Sequence, residues 1–296
     1  MIEAIAPLVV LIAFGAWLKR YGRLADGFWA GAERLSYMVL LPALLIGSLA
    51  QTDLTMVAVD RLALAVLPVL LVVAVISALA ARAIGCGGPA QTSVVQGAIR
   101  FNNFICFGLA AGLYGTLGTA MAAILSAFVV PTVNVIVVLS FALLTGHRTT
   151  PLAVARQLAT NPLVLACVIG AALSLSRLPI PEAAMTSLKL LAQASIGVGL
   201  LCVGAGLDVR AVRRDLWPVA LATGLKLLVV PALVAILLRW LGVGGVEAAV
   251  ALILAATPTA PSSYVLARQL GGDAPMVAAM ITLQTLVALV TLQIWV

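Results

Sequence analysis

Two interrupted apolar segments decide the fold of this chain: GAIRFNNFICFG at residues 97–108 and AATPTAPSSY at residues 255–264. Each lies in an apolar run long enough for a membrane helix, and each carries residues that disfavour a continuous one. Pro258 and Pro261 remove backbone donors from the second segment. The asparagine pair in the first can bond backbone groups that a break sets free. We therefore predict one broken membrane helix in each segment.

The composition places these segments in a membrane protein. Of 296 residues, 64% are hydrophobic and 9% are charged, and a soluble domain needs more polar surface than that. The net charge of +7 is scattered in ones to threes between apolar runs, which is typical of a positive-inside membrane protein and excludes a nucleic-acid groove. The apolar runs predict ten helices, near residues 4–19, 32–50, 62–84, 92–113, 117–145, 158–176, 183–206, 216–241, 246–269 and 274–295.

An internal repeat relates the two halves. A shift of 155 residues aligns five helix pairs, with matches at Pro7 and Pro162, Asp53 and Asp208, and Asp60 and Asp215. Five helices per repeat force the second half to enter the membrane from the opposite side. We predict an all-α membrane protein of ten transmembrane helices, a 5+5 inverted repeat with broken crossover helices four and nine. The repeats span residues 1–145 and 158–296, and residues 146–157 form a central cytoplasmic loop.

Basic residues in the loops set the orientation. Eleven fall in the loops that are inside if the N-terminus is outside, and four fall on the other side. The positive-inside rule therefore predicts a multi-pass protein with both termini outside.

Two cationic residues inside apolar helices make the predicted binding site positively charged. Arg100 and Lys226 lie mid-helix, where a charge costs about 2.5–3.5 kcal/mol and is usually functional or paired. All ten carboxylates fall in loops or near helix ends, and two half-helix N-termini add positive charge. We expect a small organic anion, such as a carboxylate, as substrate. The predicted substrate-binding residues are Arg100, Asn102, Asn103, Thr257, Pro258, Thr259, Pro261, Ser262, Lys226 and Gln284.

Other interpretations of these residues stay open. A proline kink in a membrane helix is often only structural, and Lys226 can equally be a snorkelling lysine. Sodium is a possible ligand for the neutral oxygens of Asn102, Thr259, Ser262 and Gln284, although no carboxylate completes such a site. The single histidine, His147, lies in the central loop. Without Cys/His clusters, a catalytic base or a phosphate-binding loop, we predict no enzyme, no metal and no cofactor.

Short motifs along the whole chain resemble the bacterial branch of the auxin efflux carrier family. They are Leu41-Pro42-Ala43-Leu44-Leu45, Asn161-Pro162-Leu163-Val164, Gly204-Ala205-Gly206-Leu207, Lys226…Pro231-Ala232 and Pro258…Pro261-Ser262. The resemblance implies the ten-helix fold of bile-acid symporters and sodium/proton antiporters in a bacterial inner membrane. It implies a scaffold of helices 1, 2, 6 and 7, a moving transport domain of helices 3–5 and 8–10, an elevator-like motion and a homodimer. The family's usual proline at the fourth-helix crossover is missing from Phe107-Gly108-Leu109.

These observations predict a secondary carrier that exports a small organic anion, driven by the membrane potential or by proton coupling. One alternative is a sodium-coupled solute symporter of the bile-acid type. An alternative of another class is a membrane receptor or structural subunit that moves no solute.

Overall fold

The structure is a computed structural model that describes residues 2–22, 24–53, 57–146, 150–208, 211–213 and 215–296. Every regular element within these ranges is helical. His147 and four arginines of the orientation count (Arg23, Arg148, Arg210 and Arg214) lie outside the described residues.

The helices follow one another with short connections. In chain order they are α1 (Ile2–Tyr21), α2 (Asp26–Leu35), α3 (Leu41–Ala50), α4 (Val59–Ala83), α5 (Gly88–Ile99), α6 (Asn103–Thr145), α7 (Pro151–Ala159), α8 (Pro162–Ser176), α9 (Glu182–Ala205), α10 (Leu216–Gly224), α11 (Val230–Trp240), α12 (Gly245–Ala256), α13 (Ser262–Leu270) and α14 (Ala274–Trp295). Helix α7 occupies most of the segment for which a central loop was predicted. A single 3₁₀ turn, Ala211–Arg213, precedes α10.

Six helical stretches of the described chain are long and apolar enough to cross a membrane, judged by length and composition. They are Gly27–Ala50, Val59–Ala83, Gly88–Thr145, Glu182–Ala205, Leu216–Trp240 and Ala274–Trp295, and two shorter apolar helices, α8 and α12, accompany them.

Helix α6 is divided by Gly115. A straight helix of its 43 residues would be about 65 Å long, twice the thickness of a hydrocarbon core. Gly115 has φ 58° and ψ −137°, a conformation that only glycine adopts without strain. The helix therefore folds back there, between the predicted segments 92–113 and 117–145.

Two π-helical turns widen membrane helices just before a proline. Ser36–Leu40 joins α2 to α3 ahead of Pro42, and Leu225–Val229 joins α10 to α11 ahead of Pro231. Proline has no N–H to give to the carbonyl four residues earlier. The freed carbonyl of Leu227 instead accepts a hydrogen bond from the indole Nε1 of Trp295 at 2.9 Å.

The helices pack as two groups that meet along α6. Helices α1, α2, α3, α8 and α9 contact one another, and α4, α5 and α10–α14 form a second set of contacts, in which α4, α5 and α12 pack against α6. Glycines allow the closest approaches in the first group. A Cβ on Gly204 of α9 would meet the backbone of Ile12 in α1, and one on Gly170 of α8 would meet Leu49 in α3.

Candidate functional site

The first helix break follows α5. Arg100 is extended (φ −74°, ψ 157°), and a new helix begins at Asn103. Asn102 caps it, because its Oδ1 accepts the amides of Phe104 and Ile105 at 3.0 and 3.2 Å. This side chain starts a new helix without the help of a proline. The interruption at residues 100–102 thus forms without a proline, and residues 107–109 lie within α6.

The second break follows α12. Thr257 is extended (φ −69°, ψ 149°), in nearly the same conformation as Arg100. Pro258 gives no N–H to the carbonyl of Leu254, which accepts instead from the Thr257 hydroxyl at 2.8 Å. The matching helix ends pair Arg100 with Thr257, whereas the 155-residue offset pairs Asn102 with Thr257. The structural correspondence is therefore shifted by two residues at the breaks.

Gln284 of α14 bridges the two breaks. Its Nε2 donates to the carbonyl of Gly97 at 2.9 Å, and its Oε1 accepts from the amide of Thr259 at 2.9 Å. In unbroken helices these backbone groups would bond to residues four positions away. The Thr259 hydroxyl adds a 3.3 Å bond to the carbonyl of Gln96. The breaks are thus held against each other by one amide and one hydroxyl.

A cavity of about 540 Å³ opens beside these breaks, and we call it the break cavity. Five predicted site residues line it: Arg100, Asn102, Asn103, Pro261 and Ser262. Its other polar lining residues were not among the predicted site residues: Glu33, Arg34, Tyr37, Asn134, Asn161 and Gln269. Its volume suits a small organic molecule.

Two residues that line the break cavity each have a buried polar atom without a partner. Arg100 donates from Nη2 to the hydroxyl of Ser262 at 3.1 Å, while its Nη1 is buried without a hydrogen bond. The Nδ2 of Asn102 is likewise buried and unpaired. Unpaired buried donors are costly, and a ligand with acceptor oxygens would satisfy them.

Helix termini add to the positive charge of the break cavity. The N-termini of α6, α8 and α13 all border it, through Asn102, Asn161 and Ser262. Asn161 caps α8 and donates from Nδ2 to the hydroxyl of Tyr37 at 3.2 Å. The partial positive charge of helix N-termini favours an anion.

Glu33 is the main departure from the expected charge pattern. Because α2 begins at Asp26, Glu33 lies two turns inside a candidate membrane span and reaches the break cavity. From the sequence, every carboxylate was expected in a loop or near a helix end. Arg34 and Arg100 line the same cavity, so its lining charges still sum to a positive value.

The other five predicted site residues lie outside the cavity walls. Thr257, Pro258, Thr259, Lys226 and Gln284 are all buried, and line neither this cavity nor the second one described below. Their contacts hold the broken ends of the helices. The Nζ of Lys226 donates to the carbonyl of Ala255 at 2.7 Å.

A second, larger cavity of about 1140 Å³ lies at the opposite end of α3, and we call it the distal cavity. Its lining includes Gly47, Asp53, Gly115, Lys189 and Glu247. Between the two cavities, the ring of Phe104 packs directly against Gly199 of α9.

No group of three or more His, Cys, Asp or Glu side chains that could hold a metal occurs in the part of the chain that the structure describes. The buried amide of Gln96 has neither its nitrogen nor its oxygen paired.

Comparison with known proteins assigns the chain to a family. The profile of the family described as "Membrane transport protein" matches residues 147–296. The chain belongs to this family, that of the auxin efflux carriers. The transporter is also 26% identical over 301 residues to an uncharacterized transporter of Methanothermobacter thermautotrophicus, across 99% of this chain and 96% of the relative. The resemblance to the auxin efflux carrier family is confirmed, and the transporter is a multi-pass membrane protein.

Proposed function

We propose that this protein is a secondary active carrier of a small organic anion, and that the break cavity binds the anion's carboxylate. The observation that carries the proposal is the Nη1 of Arg100, a buried cationic donor with no partner in the wall of a cavity. The unpaired Nδ2 of Asn102 and three helix N-termini support the same sign of ligand.

The proposed mechanism is alternating access by an elevator-like motion. Helices α1–α3, α8 and α9 form the scaffold, and α4–α6 and α10–α14 form the moving unit. Two observations support this division: the helices pack as these two groups, and cavities open at opposite ends of α3. The proposal includes ten membrane helices in a 5+5 inverted repeat, both termini outside a bacterial inner membrane, a scaffold-mediated homodimer and export as the direction.

Ligand binding tests the substrate class first. Purified transporter is heated with a series of mono- and dicarboxylates, each as its sodium and its potassium salt. A bound anion raises the melting temperature by mass action. A sodium-coupled symporter of the bile-acid type would be stabilised by the sodium salts alone. A receptor that moves no solute would bind a ligand and show no flux in liposomes.

Transport by an Arg100 variant tests the site. Arg100→Gln keeps polar volume and removes the charge, so it should abolish uptake of the best carboxylate into liposomes. Arg268→Gln is the matched control, because Arg268 is an exposed residue of α13 outside both cavities. Unchanged uptake of every anion by Arg100→Gln would refute the proposal.

A further inference from the structure

Lys226 is a buried cation that the binding site does not use. Its side chain is 1% exposed, and it lies in the π-helical turn in the middle of the span Leu216–Trp240. Within the described residues, the structure gives its ammonium one hydrogen-bond partner, the carbonyl of Ala255 at 2.7 Å. A snorkelling lysine would instead extend its amine toward the membrane surface.

The carbonyl of Ala255 is free because the helix breaks. In a continuous helix it would accept from the amide of Thr259, but that amide donates to Gln284. The carbonyls of the preceding turn are occupied by Thr257, through its amide to Ile253 and its hydroxyl to Leu254. Lys226 therefore satisfies a group left over at the C-terminal end of α12, where the helix dipole is negative.

The two breaks differ in how their free carbonyls are satisfied. After α5, the carbonyl of Gln96 accepts from the Arg100 amide and the Thr259 hydroxyl, and that of Gly97 accepts from Gln284. All of these donors are neutral. At the end of α12 the donor is a full positive charge. A neutral amide serves at one break, and a lysine side chain serves at the other.

We propose that the Lys226 ammonium is a tethered monovalent cation at the carbonyl end of α12, in the position that a free coupling cation would otherwise take. No sodium ion is then needed to neutralise the carbonyl end of α12, and the positive charge of Lys226 moves together with α10–α14. This inference rests on the proposed carrier function and specifies its ion coupling. It distinguishes this chain from a sodium-coupled symporter by one residue, because a sodium ion at the same carbonyl would be repelled by the adjacent ammonium charge.

Chemical rescue without any substrate tests the proposal. Lys226→Ala removes the ammonium and leaves space for a small amine. We expect its melting temperature in detergent to fall, and to be restored by ethylammonium chloride but not by tetramethylammonium chloride, which has no N–H donor. Lys189→Ala, an exposed lysine of α9, should show neither effect.

Lys226→Met separates charge from volume. Methionine fills nearly the same space without a charge, so we expect it to be as destabilised as Lys226→Ala and insensitive to ethylammonium. A Met variant as stable and as active as the wild-type protein would show that the side chain is packing alone, and would overturn the proposal.

The wild-type protein supplies a measurement that needs no folded variant. Its melting temperature should be the same in sodium, potassium and choline chloride at equal ionic strength. Stabilisation by sodium alone would overturn the tethered cation. A failure of the anion proposal would look different: no carboxylate would stabilise the protein, while the amine rescue would persist.

Discussion

The guanidinium of Arg100 donates to the hydroxyl of Ser262 over 3.1 Å. This bond joins the extended residue after α5 to the first turn of α13, so that each break orients the other. It also holds one edge of the guanidinium in place, while the buried Nη1 on the other edge stays unpaired.

Loss of this bond should weaken binding more than folding. Ser262→Ala frees the guanidinium to rotate, and a hydrogen bond to a charged group contributes about 1.5–3 kcal/mol. We expect the Kd of the best carboxylate to rise at least roughly tenfold, as measured by ligand-dependent melting. Ser187→Ala removes an exposed hydroxyl of α9 that bonds within its own helix and should leave the Kd unchanged.

Variants of Asn102 should distinguish its role as a helix cap, through Oδ1, from its proposed role in ligand binding, through Nδ2. Asp and Ser cap helices about as well as Asn, so Asn102→Asp and Asn102→Ser should both melt near the wild-type temperature. Asn102→Ser loses the unpaired Nδ2 and should bind the anion somewhat less tightly. Asn102→Asp adds a repelling carboxylate beside Arg100, and its binding should fall by more than the Ser variant's. Equal anion affinity in all three proteins would contradict a ligand role for Nδ2.

Gln284 should matter for stability. In Gln284→Leu the carbonyl of Gly97 and the amide of Thr259 both lose their partner in a buried place, at a cost of about 1–3 kcal/mol each. We expect a clear loss of stability in a denaturation series. Gln293→Leu lies on the same helix, and its amide bonds only to the carbonyl of Leu289 on the exposed face. The Gln293→Leu variant should unfold at the same denaturant concentration as the wild-type protein.

The contact between the two helix groups can be tested with a single methyl group. The Cβ of Gly199→Ala would overlap the ring of Phe104, so this variant should slow transport and lower the melting temperature. Gly197→Ala, two residues away, meets nothing within 4 Å and is the control. A Gly199→Ala, Phe104→Leu double variant replaces the ring with a smaller side chain and should recover part of the transport rate and of the melting temperature. If neither recovers, the effect of Gly199→Ala does not come from its contact with Phe104.

Chemical labelling of Cys86 can test the orientation of the protein in the membrane. Its pKa is raised by burial and by the carboxylates of Asp215 and Asp273, so less of the reactive thiolate is present at neutral pH than for an ordinary thiol. Labelling with an impermeant maleimide should be slow at pH 7 and accelerate as the pH rises. The other three cysteines are buried. We expect Cys86 to react from the inside, and a cysteine at Glu182 in a Cys86→Ser background to react from the outside.

Much of the local structure was readable from residue chemistry. Pro258 predicts a break, and the chain is extended beside it at Thr257. The asparagine pair predicts freed backbone groups, and Asn102 caps α6. Local rules of this kind act within about one helical turn, which is why they transfer from sequence to structure.

Residues from distant helices could not be placed in this way. Nothing in the neighbourhood of Glu33 or Asn161 indicates that both line one cavity with Arg100, because tertiary packing brings them together. Gln284 and Lys226 were predicted to bind the ligand; in the structure they donate to backbone carbonyls of the breaks and do not line the break cavity. A polar side chain inside a membrane protein is expected to form hydrogen bonds, but its position in the sequence does not show whether its partner is a ligand or a backbone group.

The two cavities also have an electrical consequence. If water fills both, a transmembrane voltage falls mainly across the protein between them, where Phe104 packs against Gly199. A unit charge that crosses the whole voltage gains about 2.3 kcal/mol per 100 mV. A displacement of the charged breaks past this layer would therefore do most of that work. Phe104 and Gly199 then act as the dielectric of a capacitor, and widening or wetting their contact would reduce the voltage sensitivity of transport.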